Sequence, residues 1–137
     1  MNPELNWAIK VAKRKDEMHE VPNDIAKQYL AKTLSDHFNE HLKKIYPTET
    51  VFMQYIQPLV VIPLFDIPGS QFFYEMESFM DTEAKFDFFN RPKEECKVVD
   101  EKLGVARLPS AFTHWTYVAT GKRFMITDVQ GWRIDRG

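Results

Sequence analysis

Apolar and polar positions change period several times along this chain, and each change marks a new element. Over residues 6–14, "NWAIKVAKR", they alternate: Trp7, Ile9, Val11 and Lys13 fall on one face, Ala8, Lys10, Ala12 and Arg14 on the other. That alternation predicts a half-buried strand over 6–14 with Lys13 on its buried side. In "VPNDIAKQYLAKTLSDHFNEHLKKIY" the period becomes helical, with Ile25, Tyr29, Leu34, Phe38, Leu42 and Ile45 recurring at roughly helical spacing. Pro22 and Asn23 supply a start signal and Pro47 a stop, so a helix is predicted over about 23–44. "ETVFMQYIQPLVVIPLF" and "QFFYEMESF" follow as strand-like runs separated by the turn "DIPGS". Pro58 and Pro63 place part of the first run at a sheet edge or a bulge. Residues 81–106 are the least patterned and most charged, which predicts a long excursion or short helical pieces within one domain. The closing "AFTHWTYVATGKRFMITDV" reads as two strands around the turn "ATGK", where Gly121 lets the chain reverse.

Composition sharpens this to one globular α+β domain, an antiparallel sheet with one long packed helix. At 137 residues, 44% hydrophobic and 14% aromatic, the chain has the material for a packed core. Lys+Arg 18 against Asp+Glu 20 leaves a net charge of −2, which argues against nucleic acid or an acidic membrane surface as partner. The apolar run "PLVVIPLF" is far short of a bilayer span, and "MNPELNWAIKVAKRK" lacks the apolar core of a secretory signal, so a cytoplasmic protein is expected. The single cysteine, Cys96, excludes an intrachain disulfide and cannot alone build a thiolate zinc site.

Candidate chemistry concentrates near the end. On the predicted last strand Phe124, Ile126, Asp128 and Gln130 share a face by alternation. A carboxylate continuing an apolar face needs a cation, a metal or good donors to meet it. Magnesium suits an acid beside an amide oxygen; the alternative is that Asp128 caps a turn and Gln130 is solvated. Lys13 poses the mirror problem: it either offers its ammonium to an anion such as a phosphate or reaches past the strand to water. Glu75 and Glu77 read as surface acids at a strand end. His37 and His41 have the i, i+4 spacing of metal ligands without a third ligand in view, which leaves a zinc-binding module as a minor alternative. His114, on a strand face with Phe112 and Thr116, reads as a satisfied core histidine. No Ser–His–Asp signature, Gly-x-Gly-x-x-Gly or Walker-type loop occurs.

The run "SAFTHWTYVATGKRFMITDVQG" resembles the alpha-kinase family, atypical serine/threonine protein kinases such as the myosin heavy chain kinases. Ala111, Phe112, Thr113, His114, Trp115, Thr116, Tyr117, Gly121, Asp128, Gln130 and Gly131 fall in register with its pattern. "VAKR" at Val11 to Arg14 looks like the strand of the phosphate-binding lysine, "DIAKQYLAKTLSDHFNEH" like the helix after it, and "EMESFMD" like the segment joining the lobes. The resemblance implies a protein-kinase-like fold, ATP and Mg2+ as cofactors, and phosphoryl transfer to Ser or Thr of a protein substrate. By position it implies that Lys13 contacts the ATP phosphates and that Glu77 and Phe79 offer backbone groups to the adenine. Asp128 is implied as the catalytic acid, Gln130 with Asp128 as holding magnesium, and His114 as a buried structural residue.

Residues 1–137 would then be a partial catalytic domain: the N-lobe core, the inter-lobe joint and the start of the C-lobe, truncated at both ends. Twelve residues precede Lys13, too few for the family's opening strand pair and phosphate loop. Thr82 stands where a glycine usually follows the acid. After "DVQG" the text is "GWRIDRG", without the family's Thr-Asp-Pro, and Asp135 comes too early for that aspartate. The Gly-rich substrate loop and the His/Cys zinc module are missing as well. A fragment of this kind is expected to be incomplete and inactive alone, and to self-associate through uncovered apolar surface. The rival reading is a non-catalytic kinase relic that serves as a protein-interaction domain.

Overall fold

A computed structural model describes residues 6–48, 52–65, 68–69, 71, 73–80, 83–90 and 107–133. Two compact units emerge, Met1–Thr33 with Tyr55–Asp81, and Leu34–Gln54 with Thr82–Gly137. Both are α+β, and their strands pair antiparallel.

The first unit is built on a three-stranded sheet of β1 (Trp7–Lys10), β2 (Leu59–Val61) and β3 (Tyr74–Ser78), in the order β1-β3-β2. In β1 Trp7 faces Ser78 and Lys10 faces Glu75, while in β2 Leu59 faces Met76 and Val61 faces Tyr74. As expected from its prolines, β2 is short and lies at an edge, with Pro58 and Pro63 flanking it.

β1 differs from expectation in two ways. It ends at Lys10 rather than at residue 14, because β3 begins at Tyr74 and the Ala12 N–H is taken instead by the Gln71 side chain, at 2.7 Å. Its covered side is also the opposite one. Gln28 of the long helix donates to the Glu77 carboxylate, so the helix lies over the face bearing Ala8, Lys10, Glu75 and Glu77. Trp7, Ile9 and Val11 are exposed.

That helix, α1 (Val21–Ile45), matches the predicted span to within about two residues at each end. Pro22 sits in its first turn, where its missing N–H is harmless, and Asp24 lies in the same turn. Lys43 and Lys44 occupy the last turn, each charge suited to the local end of the helix dipole. Tyr46 closes the last turn with an N–H to Leu42 O at 2.7 Å, and Pro47 follows. Within the first unit Ile25 and Ala31 are buried; within the second, Ser35 and Phe38.

The second unit contains α2 (Arg107–Ala119) and a two-stranded sheet of β4 (Phe86–Asn90) with β5 (Val129–Trp132). α2 replaces the predicted first strand of a hairpin. Its buried residues, Pro109, Phe112 and Thr116, are spaced by three and four, the period of a helix face. "ATGK" is its C-terminal cap: Lys122 N–H bonds Tyr117 O at 2.7 Å, Gly121 N–H bonds Val118 O at 3.0 Å, and Gly121 has φ 64°. This is the Schellman arrangement, which needs a left-handed residue just as a hairpin turn does. β4 likewise supersedes part of the excursion predicted over 81–106, while Cys96, Thr82 and Asp135 lie outside the described residues.

Phe112 is 0% exposed and packs its ring against Phe38 at 5.4 Å and 56°, while Trp115 meets Phe38 at 5.4 Å and 53°. Asn39 clamps the returning chain: its Oδ1 accepts Met53 N–H at 3.0 Å and its Nδ2 donates to Met53 O at 2.5 Å. Asn39→Asp keeps the acceptor and replaces the donor by a second oxygen facing a carbonyl. Urea titration should show a loss of about 1–3 kcal/mol at neutral pH, partly recovered once the carboxyl is protonated. An unchanged midpoint would show that the clamp contributes nothing. No helix among the described residues is long and apolar enough to cross a membrane.

Candidate functional site

Sheet register creates a charged cluster on the helix-covered face of the first unit. Lys10 stands opposite Glu75, and Glu77 is the diagonal neighbour on the same face, within reach of a long side chain. Lys10 Nζ lies 2.9 Å from Glu75 Oε1 and 2.9 Å from Glu77 Oε2. The lysine side chain is 49% exposed and that of Glu75 only 8%. Partial burial by itself would lower the Lys10 pKa; hydrogen bonds and charge from Glu75 and Glu77 outweigh it and raise the pKa above 10.5. Gln28 Nε2 ties the cluster to α1, donating to Glu77 Oε2 at 3.2 Å and to Ile56 O at 3.0 Å.

The chain just past β1 is held by Gln71, buried and threefold bonded. Its Oε1 accepts from Ala12 N–H, its Nε2 donates to Phe73 O at 3.0 Å, and its own N–H donates to Tyr74 OH at 3.1 Å. Lys13 lies beyond this clasp, exposed and outside both the strand and the carboxylate cluster. Backbone groups in β3 are largely committed. Phe79 N–H donates to Asn6 O at 2.8 Å. In an antiparallel ladder hydrogen-bonded pairs alternate, so Glu77 exchanges its backbone bonds with Ala8. The Glu77 carboxylate is in turn taken up by Lys10 and Gln28.

In the second unit residues 124–127, in neither helix nor strand, lead from the α2 cap to Asp128, which adopts φ 57°, before Val129 opens β5. A left-handed residue breaks the period of two, so the expectation that Asp128 and Gln130 share a face by alternation does not hold. Both are nevertheless exposed, on either side of buried Val129. A carboxylate and an amide oxygen in water suit a hard divalent cation that keeps several waters and takes phosphate oxygens for the rest. Among the described residues no group of three or more His, Cys, Asp or Glu could hold a metal. His114 is exposed on α2, two residues from both Phe112 and Thr116, so the expected core histidine is corrected: on a helix that spacing points it away from the buried face. His37 and His41 are exposed on α1, His37 near Glu40 at 3.9 Å and His41 with its ring centroid 6.2 Å from that of Trp115.

The model of the Alpha-kinase family matches residues 2–135. The chain belongs to the alpha-kinase family. Compared with curated proteins, it matches none significantly. Membership makes this a kinase-type domain, and its mixed fold with antiparallel sheets and one long helix agrees with a kinase-like fold. Of the residues the resemblance singled out, Lys13, Glu77 and Phe79 fall in the first unit of this alpha-kinase chain and His114, Asp128 and Gln130 in the second. Sequence reasoning passed over Lys10 and Gln28 and read Glu75 and Glu77 as surface acids; for Glu75 that is corrected, since it is buried against Lys10, and the local signal was the i, i+2 spacing of the two glutamates.

Alkaline pH should weaken the first unit. Burial pushes the Tyr55 phenol up from 10.0 to about 12, and Lys10 is raised as well. The folded chain therefore keeps protons that the unfolded chain releases, so stability is intact below about pH 10 and declines as pH rises toward 12. Tyr55 should account for roughly 2–3 kcal/mol of the decline. Urea midpoints measured against pH should fall across this window and flatten in Tyr55→Phe; an identical slope in both proteins would contradict the assignment.

Proposed function

We propose that this alpha-kinase chain binds ATP with magnesium and serves transfer of the γ-phosphoryl group to Ser or Thr of a protein, with Lys10 rather than Lys13 as the phosphate-contacting amine. The supporting observation is how Lys10 is held. An ammonium has three donors; two are directed at Glu75 and Glu77, and on a half-exposed side chain the third is available to an anion. Pairing keeps the amine charged and restricts its rotamers, so less entropy is lost on binding. Lys13 has the likeness of "VAKR" to the family's phosphate-binding strand in its favour, but it is exposed and stands outside both the strand and the carboxylate cluster.

In the second unit, Asp128 is the acid that orients the substrate hydroxyl and accepts its proton, and Asp128 with Gln130 would hold magnesium. When bound, the ion supplies neutralisation of phosphate charge. The β- and γ-phosphate resonances of MgATP should broaden and shift in phosphorus NMR on adding the wild-type chain, and remain sharp with Lys10→Met. Sharp resonances with wild type would remove the nucleotide reading.

A second reading, a kinase relic that binds partners or itself, is favoured by one observation. Just past β2, Ile62, Leu64 and Phe65 are 62%, 92% and 79% exposed. Contiguous exposed hydrocarbon at a sheet edge marks an association surface. Sedimentation should show concentration-dependent association that weakens in Leu64→Lys; a monomer at every concentration would count against this reading.

A further inference from the structure

We propose that Thr116 and Thr120 are positioning residues that fix the Asp128 carboxylate through the backbone of residues 124–126. The inference rests on the reading of Asp128 as the catalytic acid. Thr116 is an unexpected choice for the inner face of a helix. It is fully buried, has a lower helix propensity than alanine or leucine, and brings a hydroxyl into the core.

Its hydroxyl is used twice. The proton goes to Thr113 O at 2.8 Å, and the oxygen accepts Ile126 N–H at 3.1 Å. One turn later Thr120 repeats the arrangement: Oγ1 donates to Thr116 O at 2.7 Å and accepts Phe124 N–H at 3.1 Å. The spacing is what makes the pair work. Four helical residues rise about 6 Å, and two extended residues advance about 6.6 Å. Hydroxyls at i and i+4 of α2 therefore match successive same-side amides of a chain running antiparallel to it. The two threonines act as a partner strand for a segment that has none in either sheet.

Asp128 is the next residue of that row and leaves it, at φ 57°. On its far side Val129 and Gln130 are fixed opposite Asn90 and Phe88. A non-glycine residue persists in this region when its surroundings over-determine it. Here the threonine row holds one side and the β4–β5 ladder the other, which directs the carboxylate outward.

The test compares Thr116→Val, which keeps shape and removes the oxygen, with Thr116→Ser, which keeps the oxygen. Two readouts are taken on each: the amide-to-α-proton coupling of Asp128, which reports its φ, and the affinity for MgATP by calorimetry. Thr116→Val should shift the coupling and weaken MgATP binding about tenfold, the size of one lost hydrogen bond, while Thr116→Ser stays within about twofold of wild type. If Thr116→Val fails to fold, the more exposed Thr120→Val decides by the same readouts. A folded valine variant with wild-type coupling and affinity overturns the proposal. If wild type itself does not bind MgATP, the nucleotide reading fails, and the coupling alone decides whether the threonines position Asp128.

Discussion

Phe112→Ala should destabilise the second unit by about 3–5 kcal/mol, the range for removing a buried aromatic ring without collapse of the space it leaves. Domains are stable by about 5–15 kcal/mol in total, so this one change should consume a large part of the margin. The reason is local and specific. Phe112 has no exposed surface, and its ring is tilted against Phe38, which in turn meets Trp115. These contacts dock α2 on the second half of α1. Phe112→Leu, which retains most of the volume, should cost roughly 1–2 kcal/mol. Thermal and urea unfolding followed by near-ultraviolet dichroism of Trp115 would measure both. A loss below about 1 kcal/mol for the alanine variant would mean that α2 does not pack through this face.

Lys10→Met should combine a stability loss with a binding loss. Removing the amine leaves the Glu75 carboxylate, 8% exposed, and the Glu77 carboxylate close together without their cation. Breaking a buried pair by deleting one partner costs about 3–5 kcal/mol. With Lys10 half exposed, solvent screening reduces this to about 1–3 kcal/mol. Glu75→Gln in the same chain should recover part of the loss. Additive effects of Lys10→Met and Glu75→Gln would show that the pair is not coupled.

How much of this was legible in the sequence depended on whether the deciding interaction was local. α1 carries its own signals: a long apolar period, a proline in the first turn, lysines in the last, and a proline beyond it. β2 and β3 were legible from their prolines and β-forming residues. α2 was not, since Thr, Trp, Tyr and Val favour strands and its buried stripe has just one large aliphatic or aromatic side chain, Phe112. Gly121 compounded the ambiguity, because a left-handed glycine serves a Schellman cap as well as a hairpin.

In β1 alternation defined two faces but could not say which one the helix covers. The obvious choice placed Trp7 and Ile9 inside. The outcome turns on Lys10 and Glu75, 65 residues apart, whose mutual compensation makes a charged face tolerable under α1. Asp128 was recognised from the residues around it, yet its φ, which undoes the argument from alternation, is set by threonines one helix away. Gln71 and Thr120, and the part that Thr116 plays, escaped notice for the same reason: polar residues used inside a fold look like surface residues until their backbone partners are known.

The central claim is that the amine serving the nucleotide phosphates is the strand lysine anchored by two glutamates. Calorimetric titration of MgATP into wild type, Lys10→Met and Lys13→Met tests it most directly. Wild type and Lys13→Met should give matching heats and affinities, with Lys10→Met giving none. Binding that survives in Lys10→Met and disappears in Lys13→Met would contradict the account.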